Sequence, residues 1–352
     1  MKKFAVFSGF LGSGKTTTMM ALTKYCTEHY AKCAMISNDL GSQSLADNKL
    51  AVLSGCNASE LVGECICYQT ESLIARLDSL YDDGCELVIS DIPGFGVGAL
   101  DHVYHTLHKR FSDRCALAPF TVLVEPRTVG ILQSDTGGDL EYILKAQLVE
   151  ADLIVLNKCD LISPDECDDA KKYLLRAFPH ADVITISAAT GEGLDELTRA
   201  LLERDASMRL PDIGYGSPAF GNAMSRISEF YMQYFAAVCC DDFDANAYLT
   251  DIAEHVRSSA AAAKYDIPHL KLLAWTPEGD YGKTDLIGID RSIEASHRFE
   301  NPCTQIAVML NASAVCPDNE LDRIITAAVD EISPLFNLET VIFQKEAFGM
   351  SD

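Results

Sequence analysis

The sequence predicts an α/β fold with a mostly parallel, doubly wound sheet, followed by a smaller α+β domain. Three observations carry this. Across residues 1–207 short apolar runs alternate with helix-length segments, the pattern of strands covered by helices on both faces. Residues 208–223 gather Pro211, Gly214, Gly216, Pro218 and Gly221, which is linker chemistry. Across residues 224–352 the order of elements changes.

The first domain offers six strands: Phe4–Phe7, Cys33–Ser37, Leu87–Ser90, Thr121–Val124, Leu153–Leu156 and Val183–Ile186. Each is short and apolar at consecutive positions, as a strand buried on both faces must be. Helical periodicity marks Thr16–Tyr30 and Leu194–Glu203. The second domain begins with a strand pattern at Arg226–Val238 and an Ala-rich helix at Ala245–Ala263. Strands near Leu270–Trp275, Leu286–Asp290 and Gln305–Leu310 follow, then a helix at Glu320–Ile332 and a last strand at Thr340–Phe343. That order suits a split β-α-β unit of the ferredoxin-like kind.

With 352 residues the chain can build two cores. Its net charge of −24 argues against nucleic acid or an anionic membrane as a partner. The 13 cysteines lack the dense, regular spacing of a disulfide scaffold, so the expected home is a reducing cytoplasm. Met1-Lys2-Lys3 and the short apolar stretch behind it resemble a secretion signal only superficially, because the glycines that follow have another use. No stretch reaches the ~18 to 20 apolar residues of a membrane span.

That other use is phosphate binding. Gly9-Phe-Leu-Gly12-Ser13-Gly14-Lys15-Thr16 follows a strand and opens a helix. Gly9, Gly12 and Gly14 let the backbone turn its N–H groups onto phosphate oxygens, and Ser13 and Thr17 flank the same cradle. Lys15 brings a charge to the β- and γ-phosphates, Thr16 a hydroxyl to Mg²⁺, and the helix start its dipole.

The base is expected to be guanine. Asn157-Lys158-Cys159-Asp160 directly follows a strand, and an aspartate accepts from both N1–H and the 2-amino group of guanine. Adenine offers neither donor and would leave the carboxylate unpaired. Asn157 and the aliphatic stem of Lys158 would support the pocket. Ser187-Ala188-Ala189 would place a backbone N–H near the guanine carbonyl, a weak motif by itself that gains from its position. Asp91-Ile-Pro-Gly94 ends another strand, where Asp91 would hold Mg²⁺ and the Gly94 N–H would sense the γ-phosphate. Gly96 and Gly98 predict a mobile switch segment after it. Asn38-Asp39-Leu40-Gly41 adds Asp39 as a second candidate for the metal or the attacking water, although the tetrapeptide reads equally well as a turn.

With these residues assembled, the chain resembles the CobW/HypB/UreG family of metal-handling GTPases, nearest the CobW branch. The resemblance rests on Gly9–Thr16, Asn38–Gly41, Gln147–Asp160 and Ser187–Ala189, and covers about the first 200 residues, enough for a domain. It implies GTP/GDP and Mg²⁺ as ligands, slow hydrolysis, and delivery of a metal or metallocofactor to a client enzyme. CobW-type members carry Cys-x-Cys-Cys between the second strand and the switch aspartate. Here the stretch is Gly63-Glu64-Cys65-Ile66-Cys67-Tyr68, with a phenol of pKa near ~10 in place of the third thiol. Cys65 and Cys67 would suit Zn²⁺ or Co²⁺, and Cys56 is the nearest third ligand in sequence. Asp91 stands where relatives usually carry glutamate.

Three histidines, His102, His105 and His108, recur at i, i+3 steps after the switch and could add ligands, although such histidines are more often merely polar residues on the surface. Cys239, Cys240, Cys303 and Cys316 read as structural. Neither an arginine finger nor a water-orienting glutamine stands out, so intrinsic turnover is expected to be slow and open to acceleration by a homodimer or the client. The client would be a metalloenzyme or a corrinoid protein. One rival reading is a metal-independent GTP switch that guards or reactivates a cofactor enzyme. The other is a small-molecule kinase using the same phosphate loop, against which Asn157–Asp160 speaks, since a kinase has no need of a guanine-selective pocket.

Overall fold

The computed structural model describes residues 2–38, 40, 46–134, 139–214, 217–239 and 241–350. Two compact units divide the chain at residues 1–220 and 221–352.

In the first unit β1 (Lys3–Gly9) leads through the glycine-rich turn into α1 (Lys15–His29). The chain then builds β2 (Cys33–Asn38), α2 (Ala46–Leu53), β3 (Ala58–Leu61), α3 (Thr70–Asp82) and β4 (Leu87–Asp91). A π-helical turn at Leu100–His105 runs into α4 (Thr106–Phe111), followed by β5 (Ala116–Leu117) and β6 (Thr121–Val124). The unit continues with α5 (Pro126–Ser134), α6 (Asp139–Glu150), β7 (Leu153–Leu156), α7 (Pro164–Ala177), β8 (Asp182–Thr185) and α8 (Leu194–Glu203).

Every strand pairing in this unit is parallel, in the order β3-β2-β4-β1-β6-β7-β8, with β5 also on β1. One face buries Ala5, Phe7, Leu123 and Val155 against Met19 and Leu22 of α1 and Leu197 and Leu201 of α8. The alternate residues Phe4, Val6, Val122 and Ile154 are buried too, so the sheet is covered on both sides and its strands read as unbroken apolar runs. The order reverses direction around β1, and there the carboxyl ends of the strands leave a crevice for a ligand.

β3 was not legible in the sequence: Ala-Ser-Glu-Leu buries only Leu61 fully, so it carries no apolar signal. The end of the stretch expected to be linker is taken up by α9 (Pro218–Met224), which runs one residue beyond it, starts with proline and has the Ser217 hydroxyl accepting from the Phe220 N–H at 3.2 Å.

The second unit contains β9 (Ser228–Val238), α10 (Ala245–Ala263), β10 (Asp266–Trp275), β11 (Tyr281–Leu286), β12 (Glu294–His297), β13 (Gln305–Val315), α11 (Asp318–Ile332) and β14 (Leu338–Gly349). Its antiparallel sheet runs β12-β11-β10-β13-β9-β14. β13 lies between β9 and β10, which is the split β-α-β order expected, with β11 and β12 inserted as an added hairpin. The strand expected at Leu286–Asp290 instead ends at Leu286. Its Lys283 and Asp285 are nearly buried as a 2.6 Å ion pair, which hid the strand behind polar residues. No described helix is long and apolar enough to cross a membrane.

Candidate functional site

Among the described residues, those singled out for the nucleotide meet at the carboxyl ends of the strands. Gly9 closes β1, Asp91 closes β4 beside Phe7, and Asn38 closes β2. Asn157 and Ser187 follow β7 and β8. Parallel register forces this, because every strand then points the same end at the crevice.

Two glycines of the turn are geometrically required. Gly9 has φ +133° and a Cβ there would lie 2.3 Å from the Leu123 carbonyl oxygen; Gly14 has φ +90° and a Cβ there would lie 2.4 Å from Asn157 Nδ2. No side chain caps α1 at Gly14, whereas α7 has a full capping box from Ser163 and Glu166. The Ser13 hydroxyl is buried without a hydrogen-bond partner among the described residues. An uncapped helix start, two glycine positions with no room for a Cβ and an orphaned hydroxyl are what a phosphate chain fits. Lys15 Nζ donates to the Gly9 carbonyl at 2.5 Å, folding over the same loop.

Asn157 is 2 % exposed. Its Nδ2 donates to the Ser13 carbonyl at 2.9 Å, and its Oδ1 accepts from the Ala188 N–H at 3.1 Å. One amide thus ties the phosphate turn to the loop after β8. Lys158 adopts a left-handed backbone (φ 64°) and pairs with Glu125 at 2.9 Å. Asp160 follows in a short helical turn and is exposed, available to a base edge.

On the metal side, the Thr16 hydroxyl donates to Asp47 Oδ2 at 2.8 Å. This leaves its oxygen lone pairs for a cation and adds a carboxylate that sequence reasoning missed; an acidic residue in the first turn after Asn38–Gly41 was the only signal. Asp91 is 6 % exposed, and its Oδ1 accepts from the Asn38 N–H at 2.8 Å, which fixes the carboxylate's direction. Asp39 and Gly41 lie outside the described residues.

The segment after Asp91 is tethered, where its glycines alone predicted mobility. A Cβ at Gly94 would lie 2.3 Å from Leu11 Cδ2, so the Pro93-Gly94 turn packs on the phosphate loop. Gln147 Nε2 donates to the Gly94 and Gly96 carbonyls at 3.0 and 3.2 Å. The Glu150 carboxylate accepts from the Gly98 N–H at 2.7 Å and the Leu100 N–H at 3.2 Å. Burial raises Glu150 from its ordinary 4.5 to about 7, against those two N–H bonds, which act to lower it. Both residues stand inside the stretch that carried the family resemblance, yet no spacing rule marked them.

Cys65 and Cys67 approach with sulfurs 3.0 Å apart. The Cys65 thiol raises Cys67 strongly, with burial and the Glu150 charge adding to it. Cys56 does not join them: it is half-buried, its thiol donates to the Met20 carbonyl of α1 at 3.8 Å, and it packs against the core beneath that helix. His102 stacks obliquely with Tyr68, ring centroids 5.9 Å apart, while the π-helical turn breaks the i, i+3 phase of His102, His105 and His108. Among the described residues no group of three or more His, Cys, Asp or Glu could hold a metal. Cys316 is buried in the second unit's core and Cys303 packs against it, consistent with structural roles.

Comparison with known proteins matches residues 3–185 to the CobW/HypB/UreG nucleotide-binding domain. GTPase Obg 2 of Anaplasma marginale (strain Florida) is 31 % identical over 172 residues, which is 46 % of this chain and 48 % of that protein. GTPase Obg 1 of the same strain is also 31 % identical over 172 residues, 46 % of each chain. The chain therefore spans about half the length of the curated relatives it matches. Among solved structures, Zn(II)-bound YjiA GTPase from E. coli overlaps 93 % of this chain and 98 % of its own at 16 % identity and a TM-score of 0.39. HypB from Helicobacter pylori in complex with nickel overlaps 57 % and 85 % at 17 % identity and a TM-score of 0.41. The family match covers more than half of the sequence, and the chain belongs to the CobW/HypB/UreG family.

Proposed function

We propose that this protein binds GTP with Mg²⁺, hydrolyses it slowly, and uses the nucleotide state to deliver a metal or metallocofactor to a client enzyme. The observation that carries the nucleotide part is the Asn157 amide, which holds the phosphate turn through Ser13 and the base loop through Ala188. In this reading the Gly9–Thr17 cradle binds the phosphates and Asp160 selects guanine. Ser187 and Ala188 border the base. Thr16 and Asp91, with Asp47 behind Thr16 and Asp39 as a further candidate, hold the Mg²⁺, which neutralises phosphate charge when bound.

Base choice tests the nucleotide part. Xanthine has a carbonyl where guanine has its amino group, so Asp160→Asn should lose GDP affinity and gain affinity for xanthosine diphosphate. Unchanged preference in that variant would overturn the guanine reading.

In the metal part, Cys65 and Cys67 form a two-thiol half-site for Zn²⁺ or Co²⁺, to be completed by the client or a second copy of the chain. Metal content of the purified protein, with and without a non-hydrolysable GTP analogue and again for Cys65→Ser, decides it. Retained metal that is lost on Cys65→Ser supports the chaperone reading. One observation favours the rival, a metal-independent switch acting on a cofactor enzyme such as a corrinoid-dependent one: among the described residues no third thiol joins Cys65 and Cys67, and Cys56 is turned away. Absence of metal in both nucleotide states would leave that switch.

A further inference from the structure

A second close pair of thiols lies away from Cys65 and Cys67. Cys159 is the third residue of Asn157–Asp160, and its sulfur is 3.1 Å from that of Cys167 in the first turns of α7. Both are free and half-buried. Cys159 is held on three sides: its thiol donates to the Leu156 carbonyl at 3.3 Å, its N–H to the Ile186 carbonyl at 3.2 Å, and its sulfur faces Cys167. The capping box at Ser163 and Glu166 fixes the start of α7, so the two thiols are presented by rigid elements rather than by a wandering loop.

We propose that Cys159 and Cys167 form a reversible disulfide that lowers affinity for the guanine nucleotide. A disulfide oxidant such as oxidised glutathione supplies the chemistry. The Cys167 thiolate attacks it, giving a mixed disulfide and one glutathione thiol. The Cys159 sulfur, deprotonated as it reacts, then displaces the second glutathione. Two protein S–H bonds and one S–S bond become one protein S–S bond and two glutathione S–H bonds, with two electrons passing to glutathione. Cys167 is assigned the first attack because burial and the neighbouring thiol push Cys159 up to about 12.

Closing the sulfurs to bonding distance requires a movement of about 1 Å. The Cys159 thiol then no longer bonds to the Leu156 carbonyl, and the Cys159–Leu161 turn is drawn toward α7 with Asp160 in it. That consequence rests on the guanine role proposed for Asp160.

The test uses the full-length protein and a sequence coincidence: Lys158 and Lys171 bracket both thiols, so one tryptic peptide, Cys159–Lys171, contains the pair. After oxidised glutathione and alkylation, that peptide should be lighter by two hydrogens and carry no alkyl group. GDP affinity of the oxidised protein should fall about tenfold, the scale of one lost charge-assisted hydrogen bond, and dithiothreitol should restore it. Cys167→Ser should bind GDP as the reduced protein does and ignore the oxidant, whereas a Cys65→Ser, Cys67→Ser double variant should still respond. Alkylation of both thiols after oxidation, or unchanged GDP affinity in the cross-linked protein, overturns the proposal. If the reduced protein fails to bind GDP, the guanine reading falls and with it the effect on affinity, while the peptide mass alone still decides whether the disulfide forms.

Discussion

Asn157 Nδ2 and the Ser13 carbonyl, 144 residues apart in sequence, are joined by a buried 2.9 Å hydrogen bond beyond the carboxyl ends of β7 and β1. The base-side motif is therefore also a structural support of the phosphate turn. Asn157→Ala would leave the Ser13 carbonyl and the Ala188 N–H without this partner, at about 1–3 kcal/mol for the buried carbonyl and about 1 kcal/mol for the half-buried N–H. Urea unfolding should register a loss of about 2–4 kcal/mol even without nucleotide. A loss confined to nucleotide affinity would mean that the amide serves the ligand alone.

Gly14 meets the same amide nitrogen. Gly14→Ala would place a Cβ 2.4 Å from Asn157 Nδ2 on a backbone at φ +90°. The turn must then shift, and GDP affinity should fall at least about tenfold, since misplaced N–H groups no longer converge on phosphate. Isothermal titration with GDP is the measurement, and circular dichroism should show retained secondary structure.

Asp47 accepts from Thr16, so its effect should depend on Mg²⁺. For Asp47→Ala the expected outcome is about tenfold weaker binding of a GTP analogue in Mg²⁺, with little change in EDTA. Equal losses in both buffers would make Asp47 a packing residue of α2 and nothing more.

Glu150 provides a pH signature. Its native pKa of about 7 exceeds its ordinary 4.5, so the native state holds the proton more tightly than the unfolded chain. That contribution is fully present below about pH 4.5 and is lost as pH rises through about 7, at most about 3 kcal/mol in all. Glu150→Gln removes the titration, so its stability should change less than the wild type's between pH 5 and 7.5 in urea melts. At pH 5 the protonated wild-type carboxyl, like the amide, offers one good acceptor to the two N–H groups, so the two proteins should differ there by less than about 1 kcal/mol. Parallel pH profiles for the two proteins would sink this assignment.

The sequence was most legible where chemistry and periodicity coincide. The strands of the first sheet buried on both faces announced themselves as apolar runs, and Gly9–Thr16 could be read because a phosphate cradle needs glycine, lysine and a hydroxyl in one short order. Ala58–Leu61 failed that test because an edge strand with one fully buried residue has no apolar signal. Tyr281–Leu286 failed because its charges neutralise one another inside the sheet.

The amino-acid order alone determined the class of fold and the family, and it marked the residues proposed to meet a nucleotide, since these are local patterns of spacing and residue type. Only the tertiary structure decided that Asn157 reaches Ser13, that Asp47 stands behind Thr16, and that Gln147 and Glu150 hold the segment after Asp91. It also separated Cys56 from Cys65 and Cys67, and set Cys159 against Cys167. Each of these depends on which elements pack together, and hydrogen bonds and thiol contacts between distant positions leave no period in the chain that makes them.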